Sequence, residues 1–264
     1  MVNRSSYEPS QWPSPPTQLT LGHGEVHVWR ANLDAAFPLL NSLQKLLSPR
    51  ELNRYQRFHR QKDAAYFLAR RGVQRLILER YVGIPPSTLR FARSKHGKPE
   101  LVTQRNEALV CFNASHSDGL ALYAIACERE VGVDVERCHR KSETEQIASR
   151  YFTSRESQKL LAIPTDHRNE AFYACWTRKE AYMKAKGLGL RLGLDQFEVG
   201  FAPGEPAALL SSSEGPEEVE RWSMKELYPS DGYLGAVCAA GADWSLKLWD
   251  VSPLLGSFRW TSPP

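Results

Sequence analysis

The sequence is short of the features that settle a function by composition. Its 264 residues hold only five cysteines, Cys111, Cys127, Cys138, Cys175 and Cys238, an odd number with no C-x-x-C among them. So few cysteines in an odd number give no sign of a disulfide scaffold, and five reduced, mostly structural thiols in a cytoplasmic protein are expected. No apolar run approaches the roughly 18 residues that span a bilayer, so no membrane segment is expected. The opening stretch MVNRSSYEPSQWPSPP lacks the apolar centre of a secretory signal. Nor does a dense basic run stand out for nucleic acid, since 34 basic residues against 30 acidic ones leave a net charge of +4. That mild excess suits an anionic substrate or an acidic partner protein, and equally suits many proteins with neither.

What is present is an ordinary globular composition, 42% hydrophobic and 24% charged, able to bury a core. Residues 1–20 are rich in Pro, Ser and Gln and read as a flexible N-terminal arm. Glu25-Val26-His27-Val28 alternates as a strand does. Ser48-Pro49-Arg50-Glu51 places proline at the first position of a helix. A long amphipathic helix is expected over 61–82, closed by Gly83-Ile84-Pro85-Pro86. A second is expected over about 166–186, closed by Gly187-Leu188-Gly189-Leu190. Further strands are expected at 89–91, 109–113, 119–126, 131–136, 197–199, 219–226 and 233–239. Residues 203–217 read as loop and the final WTSPP as a ragged end.

The chain also repeats itself. Glu25-Val26-His27-Val28 recurs 105 residues on as Glu130-Val131-Gly132-Val133, and Arg50-Glu51 recurs at the same distance as Arg155-Glu156. Ala65-Tyr66-Phe67 recurs as Ala171-Phe172-Tyr173, 106 residues on. Each match is weak alone, but the shared spacing and shared order of elements point to two similar halves. The expected fold is α+β: a pseudo-dimer of two similar halves, each a small antiparallel sheet packed on a long helix, with the active site in the cleft between them. The expected boundaries are a flexible arm at 1–20, an N-terminal half at 21–128, a C-terminal half at 129–250 carrying the metal site, and a tail at 251–264.

Four constellations carry chemistry. In Val131–Glu136, strand alternation turns the three valines one way and Asp134 and Glu136 the other, side by side. Two adjacent carboxylates repel unless a cation lies between them, although a lone D-x-E also suits a solvated strand end. In Trp176-Thr177-Arg178-Lys179-Glu180-Ala181-Tyr182-Met183-Lys184, Trp176, Glu180, Met183 and Lys184 share one helical face. Glu180 and Lys184 are either a surface ion pair or a carboxylate and an ammonium held beside a phosphate. Trp176 reads as a core anchor. Asn113-Ala114-Ser115-His116-Ser117, ahead of the turn Asp118-Gly119, groups donors for a phosphate or caps its own turn. Arg93-Ser94-Lys95-His96-Gly97-Lys98-Pro99 is a basic loop in which Gly97 permits close backbone approach.

Taken together, these residues resemble the Sfp-type 4′-phosphopantetheinyl transferases. The family's signatures read roughly G-[VI]-D-[VI]-E, then F-[ST]-x-x-E, then W-x-x-K-E-[AS]-x-x-K. Here they are matched in order by Val131–Glu136, by Phe152-Thr153-Ser154-Arg155-Glu156 and by Trp176–Lys184. Gly97-Lys98-Pro99 and Phe112-Asn113-x-Ser115-His116 match two further motifs, so that the resemblance covers about residues 45–240. Ala114 stands where a larger aliphatic is usual and Thr153 where serine is commoner. The resemblance implies transfer of the 4′-phosphopantetheine group of coenzyme A to a serine of an apo carrier protein, releasing adenosine 3′,5′-bisphosphate. It implies Asp134, Glu136 and Glu180 as magnesium ligands, with manganese a possible substitute, and Lys184 at the diphosphate. It places Arg54, Arg93, Lys98, Asn113, Ser115, His116 and Asp134 around coenzyme A. Glu180 is the first candidate for general base and Glu136 the second. The partner would be an acyl carrier protein or a carrier domain of a fatty-acid, polyketide or peptide synthase.

The acids also make chemical sense beside a diphosphate. At an effective dielectric near 20, each pair of like charges ~4 Å apart costs about 4 kcal/mol, so three carboxylates need a cation. Carboxylate and phosphate oxygens are hard ligands that suit magnesium. Only the second half carries acids at the repeated strand, where Asp134 and Glu136 correspond to Trp29 and Ala31. A non-catalytic coenzyme A or nucleotide module would not need three carboxylates with Lys184. A nucleic-acid binder would present a basic face with exposed aromatics, whereas these aromatics sit at core spacing. A cytoplasmic monomer without nucleic-acid or membrane partners is expected.

Overall fold

A computed structural model of the chain describes residues 10–102, 109–139, 143–189 and 192–259. The first nine residues of the expected arm, Leu190 of the second helix stop and the terminal WTSPP lie outside the described residues. In chain order the elements are β1 (Glu25–Asn32), α1 (Leu40–Gln44), α2 (Pro49–Tyr55), α3 (Gln61–Val82), β2 (Phe91–Arg93), β3 (Pro99–Leu101), β4 (Val110–Ser117) and β5 (Leu120–Cys127). They continue with β6 (Val131–Arg137), α4 (Thr144–Tyr151), α5 (Ser154–Ala162), α6 (Thr165–Lys186), β7 (Phe197–Val199), β8 (Leu209–Ser212), α7 (Pro216–Arg221), β9 (Trp222–Leu227), β10 (Tyr233–Ala240), β11 (Ser245–Asp250) and α8 (Ser252–Ser257). No helix among the described residues is long and apolar enough to cross a membrane.

These elements sort into two units. The first comprises residues 12–95, 99–129 and 244–259, and the second residues 10–11, 96–98 and 130–243. This grouping departs from the expected boundaries at both ends, because residues 12–20 and 244–250 join the first unit. The reason is hydrogen bonding. In the first unit's sheet, of order β11-β1-β5-β4, β11 runs parallel to β1 from Glu25–Ser245 to Arg30–Asp250. The β1–β5 and β4–β5 pairs are antiparallel, as expected. Residues 12–17 are docked too. Trp12 is 8% exposed, with the Arg30 guanidinium 5.5 Å from its ring centre. The Pro13 carbonyl accepts from the Asp250 N–H at 2.9 Å, and Arg80 donates to the Pro16 and Thr17 carbonyls.

The second unit's sheet, β6-β10-β9, is antiparallel throughout. Its strands and helix follow the connection order of the first. Strand β1, helix α3, hairpin β2–β3, then β4 and β5 correspond to β6, α6, hairpin β7–β8, then β9 and β10, and the last strand of each set pairs with both others. Residues 219–221, expected as strand, instead close α7, where Pro216 at the first position and Glu217 and Glu218 in the first turn favour a helix. Within 203–217, expected as loop, lies β8.

The repeat extends to the buried polar groups. Helices α2 and α5 both open with a capping box, Ser48 with Glu51 and Thr153 with Glu156. Each glutamate is buried and takes a cation from the following long helix: Arg75 at 2.6 Å from Glu51, and Lys179 at 2.7 Å from Glu156. Each cation then satisfies carbonyls further along the chain, Pro86 and Leu89 for Arg75, Leu194 and Phe197 for Lys179. Each also lies over an aromatic ring, Phe91 at 5.0 Å and Phe197 at 4.3 Å. Around these ties sit two cores. One gathers Phe67, Val73 and Ile77 of α3 with Phe112, Tyr123 and Ile125; the other gathers Phe172 and Tyr182 of α6 with Phe197, Trp222 and Met224.

Candidate functional site

The acidic constellation is built where β6 lies on α6. Gly132 makes that approach possible: a Cβ there would fall 2.2 Å from the Ala181 carbonyl oxygen and 2.3 Å from the Ala185 nitrogen. By strand alternation Gly132, Asp134 and Glu136 share the face toward α6. Asp134 is 2% exposed, and Lys184 of α6 donates to its Oδ1 at 2.6 Å. Glu136 is half-buried at the end of the same row. Glu180, one helical turn before Lys184, has its carboxyl raised above the ordinary range, first by burial and then by the charge of Asp134, with Lys184 opposing. Trp176 packs against Phe172 and Phe152, as a core anchor does.

Asp134 and Glu180 lie near enough for the charge of one to bear on the other, and Glu136 follows Asp134 in the same strand row. The donors are hard oxygens, which fits a small divalent cation such as magnesium. Among the described residues, no three His, Cys, Asp or Glu side chains converge closely enough to form a ready cage. Asp134 is instead held by Lys184, so that acid and ammonium neutralise one another.

The residues expected to meet a nucleotide are distributed differently. Arg54 of α2 and Arg93 of β2 line a cavity of about 770 Å³ in the first unit, together with five further arginines and a single acid, Glu51. Two of those arginines, Arg71 and Arg75, contact that acid. Arg54 also lies 5.3 Å from the Phe67 ring centre. On β4, Asn113 and Ser115 are buried while His116 is exposed, and alternation puts His116 on the opposite face from the other two. The expected cluster of three is therefore split. His116 Nε2 accepts from Arg70 of α3. Burial lowers the Arg70 guanidinium's pKa, and the charges of Arg71 and Arg54 lower it further, opposed by Tyr123. Cations thus crowd this side of α3, a setting that an anion relieves.

Lys98 is the residue whose placement differs most from expectation. Its ammonium donates to the Val131 and Ala185 carbonyls, at 3.0 and 2.8 Å, within the second unit. The sequence reading missed Arg70, Arg71 and the arginine-lined cavity. The signal available was the spacing of Arg50, Arg54 and Arg57 ahead of Arg70-Arg71, one short basic row along α2 and just beyond it and another on α3.

Comparison with known proteins adds an independent finding. Residues 130–238 match the family described as the 4′-phosphopantetheinyl transferase superfamily, and residues 34–128 match that described as 4′-phosphopantetheinyl transferase, N-terminal. The chain is 38% identical over 238 residues to 4′-phosphopantetheinyl transferase HetI of Nostoc sp., covering 90% of this chain and 97% of that one. It is 31% identical to 4′-phosphopantetheinyl transferase Sfp of Bacillus subtilis, covering 78% and 88%. It is 26% identical to the L-aminoadipate-semialdehyde dehydrogenase-phosphopantetheinyl transferase of Xenopus laevis, covering 80% and 73%.

Proposed function

The chain belongs to the 4′-phosphopantetheinyl transferase superfamily, and we propose that it takes the arm it transfers to carrier proteins from coenzyme A, with magnesium held by Asp134, Glu136 and Glu180. The observation that carries this reading is the packing of Asp134, Lys184 and Glu180 where Gly132 lets β6 touch α6. Magnesium, with manganese as a substitute, would supply charge neutralisation at the diphosphate and polarise it.

The chain's own residues then have distinct tasks. Asp134 orients Lys184 in the free enzyme. When a diphosphate arrives, the Lys184 ammonium is positioned to contact it and to stabilise the charge that develops on departing adenosine 3′,5′-bisphosphate. Arg54, Arg93, Asn113, Ser115 and His116 are assigned to the nucleotide end, supported by the crowding of arginine charge beside Arg70. Lys98 belongs to the same expected set, although its ammonium is already engaged. The incoming serine oxygen forms a bond to the β-phosphorus as the bond to the nucleotide breaks, and the serine proton passes to a base. Glu180 is our first assignment for that base, because burial and Asp134 raise its affinity for a proton; Glu136 is the second. The cytoplasmic, monomeric setting expected from the sequence belongs to this proposal, with sedimentation of the purified chain as its check.

The test is direct. The purified chain is incubated with coenzyme A, magnesium and an apo carrier protein, and the carrier is weighed. A gain of one phosphopantetheine group that EDTA abolishes and magnesium restores is the expected outcome. No gain across acyl, polyketide and peptidyl carriers refutes the coenzyme A reading; gain that persists after exhaustive chelation refutes the metal.

A further inference from the structure

We infer that Lys98 is a positioning residue rather than a contact to coenzyme A: it ties the start of β6 to the end of α6 and so sets Asp134 and Lys184 in register, a role resting on the function proposed above. Its Nζ donates to the carbonyl of Val131, three residues before Asp134, and to that of Ala185, immediately after Lys184. One ammonium therefore bridges the two elements that supply the ion pair. Ala185 lies in the last turn of α6, where carbonyls have no partner within the helix and a cation is favoured. The stem of Lys98 is held as well. A Cβ on Gly187, which closes α6 at φ +70°, would lie 3.1 Å from Lys98 Cδ. Gly132 brings the strand against the helix backbone, and Lys98 fastens their ends. Through these two bonds the side chain acts on the placement of Lys184 and Asp134.

The two roles leave different signatures. Lys98→Met keeps the stem and removes the donors; Lys98→Arg keeps the charge and can reach both carbonyls. We expect Lys98→Met to lower kcat roughly ten- to a hundredfold, as displacement of a reacting group by ~1 Å does, with KM and calorimetric affinity for coenzyme A within about twofold of wild type. Lys98→Arg should recover a substantial part of kcat. Amide hydrogen exchange, measured without substrate, should accelerate in Lys98→Met over 131–137 and 181–187 and stay unchanged over β1 and α3. Weakened coenzyme A affinity with saturating kcat intact would overturn the proposal and restore Lys98 as a ligand contact. Unchanged exchange in those two segments would also overturn it. The exchange arm stands apart from catalysis, so a wild-type chain that failed to transfer from coenzyme A would sink the proposed function while the tie was still judged. If Lys98→Met melts too low for kinetics, Lys98→Arg and wild type supply the comparison: equal exchange with reduced coenzyme A affinity refutes the tie, and intact affinity with intermediate exchange supports it.

Discussion

Where the second unit carries Asp134, the first carries Trp29, 105 residues earlier, and where the second has Glu180 on its long helix, the first has Leu76, 104 residues earlier. The closing Gly83 and Gly187 and the cations Arg75 and Lys179 share that 104-residue offset, so the Ala65-Tyr66-Phe67 and Ala171-Phe172-Tyr173 match is two residues out of the structural register. The supporting frame is the same in both: capping box, buried glutamate–cation tie, a 22-residue helix, and a glycine closing it in the left-handed conformation. What differs is the seam between strand and helix. Gly132 lets β6 meet α6 backbone to backbone and leaves room for charge. At the matching place stands His27, 2% exposed. Its Nδ1 accepts from the Tyr81 hydroxyl at 2.9 Å and from Trp249 Nε1 at 3.3 Å. Trp29 donates to the same tyrosine oxygen at 2.6 Å. One frame thus holds two fillings, an acidic strand row paired with a lysine in one unit and a hydrogen-bonded aromatic cluster in the other. The shared frame and the differing fillings can therefore be tested apart, position by position.

The sharpest break in the comparison comes from substituting matched positions. Asp134→Asn or Glu180→Gln should cut transfer about 10²–10³-fold, the scale for removing a charged group acting on the transition state, with the melting temperature nearly unchanged. Trp29→Ala should do the reverse: about 3–5 kcal/mol of stability lost in denaturant unfolding, as for a fully buried aromatic. Unaltered turnover in either acid variant would remove the site from the second unit. Next in size come the frame ties. Glu156→Ala should cost about 3–5 kcal/mol, because it strands the fully buried Lys179, and Glu51→Ala should cost a comparable amount through Arg75. A large inequality between them would show that the two frames are not energetically alike.

The helix stops give a smaller contrast. At Gly83, φ +63°, an added Cβ meets nothing, so Gly83→Ala should cost only the left-handed backbone penalty, roughly 1–2 kcal/mol. Gly187→Ala adds contact with Lys98 and should lower kcat as well. Smallest is the effect of acid. Burial holds the His27 imidazole below its ordinary value of 6.5, with Glu25 opposing. The unfolded chain then takes up the proton at higher pH than the folded one. The contribution is whole above about 6.5 and is lost as pH falls through the lower folded value. A pH series of melting curves should show this loss, and His27→Gln should flatten it.

Much of this frame can be read from the chain. The 105-residue spacing, the long helix at 61–82 and the strand at 131–136 lie within a residue of where they are found. These are local signals: period, punctuation and caps. The nearness of Asp134, Glu180 and Lys184 was legible because one strand and one helix turn carry them. Other features left no local trace. Strand β11 pairs with β1 across more than two hundred residues of sequence, and its parallel register is decided by β1's open edge. Trp12 was hidden in a Pro- and Ser-rich stretch that gives no periodic signal, and only the packing against Arg30 of β1 shows it. Lys98 reads as a loop cation, and only the carbonyls it meets, one from β6 and one from α6, reveal its use.

The parallel docking of β11 also orders events in time. Synthesis delivers β1, β4 and β5 first, yet the sheet they belong to waits for its fourth strand until residues 245–250 have emerged. The second unit, whose segments all precede residue 244, is complete before that. The half of the protein that begins first is finished last. A chain cut just before Trp244 keeps every segment of the second unit together with a first unit whose β1 edge is open, a state exposed to strand exchange with its neighbours.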